Sequence, residues 1–88
     1  MLTYIFIVIN QGSVTNAIDF IKKLAEKNIN KLFFVYGEFD IVLKLKTVNE
    51  EQVSKIVKEL KKNQDIKSLD SYFVKDKLYE TNVLPKVR

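Results

Sequence analysis

The stretch "FFVYGEFDIVLKLK", residues 33–46, decides the fold. Two apolar runs flank Gly37, and glycine accepts positive φ because it has no Cβ to clash, so the stretch reads as two antiparallel strands around a corner. After the corner, one side of the chain carries Phe39, Ile41, Leu43 and Leu45, and the other carries Val42 between Asp40, Lys44 and Lys46. That is the period-2 pattern of a strand with one buried side. Asp40 stands where the apolar pattern resumes. It either trims the hairpin edge by accepting a backbone N–H, or belongs with Gly37, Glu38 and Phe39 to a small site.

Upstream, "TYIFIVI" (3–9) is rich in β-branched and aromatic residues and reads as a strand that is apolar on both sides. Ser13 is a suitable N-cap. From there Val14, Ala17, Ile18, Ile21, Leu24 and Ala25 recur at three- and four-residue steps, which is one helix face. Asn28, tolerant of a left-handed conformation, is a suitable stop, and a second strand is expected over 30–36. Downstream, Asn49 with Gln52 resembles a capping box, and Glu50 and Glu51 suit the positive end of a helix dipole. Val53, Ile56, Val57 and Leu60 make the buried stripe of that helix, and "IKSLDSYFVK" a fourth strand. The order β-α-β-β-α-β is an α+β, ferredoxin-like unit: a four-stranded antiparallel sheet with two helices on one face.

In that topology the first and third strands lie centrally and the sheet's second face is open. A half-exposed sheet should alternate more cleanly than Thr3, Ile5, Ile7 and Ile9 against Tyr4, Phe6 and Val8. Sheet-to-sheet dimerisation is therefore expected, with Tyr4, Phe6, Val8, Phe39, Ile41 and Leu43 in the contact. The alternative is that long lysine side chains cover the face with their methylenes.

Eighty-eight residues allow one domain, and its thin core makes a second copy a natural source of burial. Two regions are expected: a domain over 1–76, and a tail over 77–88 that either docks on a neighbouring subunit or frays. The absence of cysteine excludes disulfides and thiolate chemistry and fits a reducing cytoplasm. The opening segment has neither a basic n-region nor a cleavage site, and it is too short for a membrane helix. With no histidine either, the commonest general base and transition-metal ligands are missing, and two glycines make no phosphate-cradling loop. No catalytic residue, metal or cofactor is expected. A small cofactor-free monooxygenase of the dimeric α/β-barrel type is a weaker alternative. The net charge of +4 is the difference between fifteen basic and eleven acidic residues, and of the basic ones only Arg88 is arginine. That favours a solvated lysine surface over a nucleic-acid site, since base reading favours the planar guanidinium fork.

At "VYGEFDIVLKLK" the chain resembles the effector-binding RAM domain of the Lrp/AsnC transcription regulators, in which a Tyr- or Thr-Gly-x-x-Asp pattern joins the second and third strands. Tyr36, Gly37 and Asp40 match it, and "TVNEEQVSKIVKEL" and "IKSLDSYFVKD" follow at similar spacing. The resemblance implies a homodimer with facing sheets and further assembly into octamers or decamers. It also implies that an amino acid or related molecule binds beside the corner, at the contact between dimers. Tyr36, Gly37, Glu38, Asp40 and Ser71 would then line the ligand, with Asp40 accepting from an α-amino group. Many members have a Thr-x-Thr pair in the fourth strand; Leu69 and Ser71 stand there in this chain. Because the chain starts at the first RAM strand, it is expected to be a stand-alone sensor without a DNA-binding helix-turn-helix. It would be cytoplasmic, without direct DNA or membrane contact, and able to mix with full-length relatives. The alternative is a purely structural oligomerisation domain with no ligand.

Overall fold

A computed structural model describes residues 1–75. The elements run β1 (Leu2–Ile9), α1 (Val14–Ala25), β2 (Ile29–Phe34), β3 (Ile41–Lys46), α2 (Glu50–Lys62) and β4 (Ile66–Phe73). The sheet order is β2-β3-β1-β4, all neighbours antiparallel, so β1 and β3 are central. The expected tail over 77–88 lies outside the described residues.

β1 alternates strictly between buried and half-buried positions: Thr3, Ile5, Ile7 and Ile9 point into the core, and Leu2, Tyr4, Phe6 and Val8 point away. Ala17, Ile21 and Ala25 of α1 and Ile56 and Leu60 of α2 close that core from above. Both helices therefore sit on one sheet face, with the stripes expected of them turned inward except at Val14, which opens α1 and is 41% exposed. Their ends differ. Asn49 caps α2 by accepting from the Gln52 N–H, while the Gln52 side chain accepts from the Val48 N–H, one residue short of a full capping box. Ser13 occupies the α1 N-cap but its side chain makes no capping bond. Asn28 does not adopt a left-handed conformation; it joins α1 to β3 through its carbonyl and side-chain amide, bonded to Lys46 at 2.8 and 3.2 Å.

Two expectations are corrected. The second strand runs over Ile29–Phe34 and the third starts at Ile41, so Val35 to Asp40 form the connection. Moreover Ile41 and Leu43 do not belong to the open face. They are 1% and 0% exposed in the helix-side core, because the β1–β3 register pairs them with Ile7 and Ile5. Directly paired residues share a face. The β3 residues on the open face are Val42, paired with Phe6, and Lys44, paired with Tyr4. Phe39 escapes this phase because it precedes the strand, and its ring lies 5.2 Å from that of Phe6 on the open side.

Candidate functional site

The corner is built by a few backbone bonds. The Val35 N–H donates to the Asp40 carbonyl at 3.0 Å, closing a loop of Tyr36, Gly37, Glu38 and Phe39. Gly37 has φ +124°, a region L-residues rarely adopt, and a Cβ there would meet no atom within 4 Å. The glycine is thus required by backbone conformation rather than by crowding, and the space beside it is open. Tyr36 stands fully exposed.

Asp40 is fastened at both ends. Its N–H donates to the Ile7 carbonyl at 2.9 Å, and its Oδ2 accepts from the Ile9 N–H at 2.7 Å. The carboxylate therefore holds the end of β1 against the corner, as the hairpin-edge reading expects. Its second oxygen makes no hydrogen bond within the described residues.

Ser71 is elsewhere. It pairs with Ile5 across β1–β4, so its side chain is on the helix side of the sheet. There it lines a hollow between α2 and β4 with Ser54, Val57, Lys58 and Phe73. Leu69 pairs with Ile7 and packs on the core. Within one subunit Tyr36, Gly37, Glu38 and Asp40 share one loop, and Ser71 does not join them.

The open face holds residues that strand-by-strand reading missed. Tyr4, Phe6, Phe39 and Tyr72 line a shallow hollow of about 440 Å³. Phe6 and Tyr72 meet edge to face with centroids 5.6 Å apart, a favoured aromatic geometry. Phe33, opposite Val42, is 45% exposed and Tyr72 is 58% exposed. The signal that could have found Phe33, Val42 and Tyr72 is cross-strand pairing, which no single strand contains. Among the described residues no cluster of three or more potential metal ligands occurs, and no helix is long and apolar enough to cross a membrane.

A four-stranded antiparallel sheet with both helices on one side, in the order β-α-β-β-α-β, defines an α+β, ferredoxin-like domain. The chain belongs to the Lrp/AsnC ligand binding domain family, whose profile matches residues 3–84. No curated protein matches it. Among solved structures it is similar to FFRP-DM1, with 21% identity and a TM-score of 0.71 over 81% of this chain and 93% of that one. TTHA0845 from Thermus thermophilus gives 14% identity and a TM-score of 0.77 over 91% and 98% of the two chains. The transcriptional regulator NMB0573 from Neisseria meningitidis, solved as a complex with L-Met, gives 21% and 0.72. That alignment covers 96% of this chain but 55% of the regulator. At these identities the likeness is one of fold.

Proposed function

We propose that this chain is a sensing module that binds an amino acid at the glycine corner, assembles through its open sheet face, and acts in transcriptional or metabolic regulation without catalysing a reaction. The observation that carries the ligand reading is the corner itself. Gly37 leaves open space in the loop that Asp40 closes, and of the Asp40 carboxylate one oxygen is committed to Ile9 while the other makes no hydrogen bond among the described residues. An ammonium group suits that oxygen as a charge-assisted donor. The loop-closing bond uses the Val35 N–H, so the N–H groups of Gly37 and Glu38 stay outside it and suit a carboxylate. Family membership and the L-Met complex of one structural relative support the same ligand class.

Face-to-face pairing would cover Tyr4, Phe6, Val8 and Phe39 but leave Phe34 and Tyr36, both exposed, for contact with further pairs. Octamers or decamers fit that division of surfaces. Ser71 contributes to a ligand only if a neighbouring pair brings its α2–β4 hollow against the corner. Full-length family members are further candidate partners.

Calorimetry and thermal shift against the twenty amino acids test the reading. At a hundredfold excess over Kd a true ligand adds about 2.7 kcal/mol of stability. The informative variant is Asp40→Asn, which keeps an acceptor for the Ile9 N–H and removes the charge. It should lose the response and keep the assembly. If no amino acid stabilises the intact assembly, the sensor reading is wrong.

One observation favours a second reading. The Asp40–Ile9 bond gives the aspartate a purely structural task, so the domain would serve only to oligomerise. Under it Asp40→Asn and wild type behave alike toward every ligand.

A further inference from the structure

We infer that Asn10 is a positioning residue for the glycine corner: it fastens the end of β1 to the α2–β4 turn, which aims the Ile9 N–H at one oxygen of Asp40 and so fixes how that carboxylate is presented. This rests on the ligand reading proposed above and names the support which that reading needs.

Neither neighbouring strand holds Ile9 in an unbroken ladder. The β1–β3 pairing ends with Ile7 opposite Ile41, and the β1–β4 pairing shifts register between Val8 and Ile9. The Ile9 N–H consequently goes to a side chain, the Asp40 Oδ2 at 2.7 Å, rather than to a backbone carbonyl. The next residue supplies the anchorage. The Asn10 N–H donates to the Asp65 carbonyl at 2.9 Å, and its Nδ2 donates to the Gln64 carbonyl at 2.6 Å. Its own carbonyl accepts from the Ser13 N–H at 3.0 Å. Two successive carbonyls of the α2–β4 turn are thereby tied to one residue.

That turn is itself fastened to α2. The Asn63 N–H donates to the Leu60 carbonyl at 3.1 Å. Asn63 in turn accepts from the Asp65 N–H through its side chain at 2.8 Å and from the Ile66 N–H through its carbonyl at 3.2 Å. A continuous set of bonds thus runs from α2 through Asn63, the turn and Asn10 to Ile9 and Asp40. Asparagine suits position 10 because the turn offers a carbonyl, which needs a short side chain that donates; an ionised aspartate there would have no donor. The side-chain bond lies near solvent, so it adds little stability and its weight is in orientation. Orientation matters for Asp40 because the carboxylate torsion of an aspartate is intrinsically broad. With one oxygen held on a fixed N–H, an ammonium group meets a preset acceptor, and less freedom is lost on binding.

The test uses the full chain with Asn10→Ala, and with Asn10→Asp as a second variant that keeps the side-chain shape without the donor; circular dichroism reports the fold. Amide hydrogen exchange is followed by NMR. In both variants the Ile9 amide should exchange at least about tenfold faster while those of Ile5 and Leu43 keep their wild-type rates, because only a local opening is made easier. A merely stabilising Asn10 would instead speed all the slowly exchanging amides together. Binding is read by calorimetry with L-methionine and then with each of the other standard amino acids. For the tightest of them Kd should rise about tenfold in both variants, the carboxylate being no longer preset. Unchanged Ile9 exchange, a uniform rise at every amide, or an unchanged Kd overturns the role of Asn10 and leaves the corner reading standing. A wild-type chain that binds none of the amino acids overturns the corner reading and this role with it.

Discussion

At the scale of single residues, the core holds one avoidable cost. Thr3 is 0% exposed and its hydroxyl has no hydrogen-bond partner among the described residues; Thr47, near it at the same end of the sheet, is in the same condition. A buried unpaired polar group costs about 1–3 kcal/mol. Thr3→Val, which keeps the β-branched shape, should raise stability by about 1 kcal/mol, visible as a higher urea midpoint at constant m-value. Asp40 makes the opposite case. Asp40→Ala strips the Ile9 N–H of its acceptor and should cost about 1–2 kcal/mol, while Asp40→Asn should cost clearly less in the same titration. The residue scale is also where the sequence was most readable. Gly37 was expected at a corner and takes φ +124°, and Asp40 does accept a backbone N–H. Which N–H it accepts from was not readable, because Ile9 lies thirty-one positions away and meets Asp40 only once β1 and β3 pair.

At the scale of elements, the two helices differ in how they begin. Asn49 makes its side-chain cap and Ser13 does not. Asn49→Ala should therefore destabilise by about 1 kcal/mol, whereas Ser13→Ala should stay within about 0.5 kcal/mol, both from denaturant melts. Helix faces were legible because a 3.6-residue period is contained in one segment: Ala17, Ile21, Val53, Ile56 and Leu60 are all buried as their spacing implies. Strand faces were legible only up to a sign. Alternation groups Ile41 with Leu43, but whether that group meets Phe6 or Ile7 depends on the register of a partner strand. Ile41 and Leu43 were therefore assigned to the wrong side. The same gap kept Ser71 beside the corner in expectation, although its pairing with Ile5 turns it toward α2.

At the scale of the whole molecule, the described residues form a two-layer slab, 37 × 32 × 18 Å, in which one sheet face is left uncovered by them. Phe6, Phe39, Tyr4 and Tyr72 gather on that uncovered side, where each large apolar side chain removed from water contributes about 1.5–3 kcal/mol. In the proposed face-to-face pair, such side chains from two copies would offset an association cost of about 4–15 kcal/mol. The glycine corner, at the rim of this face, then remains accessible to a small molecule or a neighbouring pair. Sedimentation equilibrium of the wild-type chain over a wide concentration range tests this most directly. The account predicts a mass of twice 10.3 kDa or a higher even multiple, persisting to low micromolar concentration. A folded species of 10.3 kDa at every concentration would contradict it.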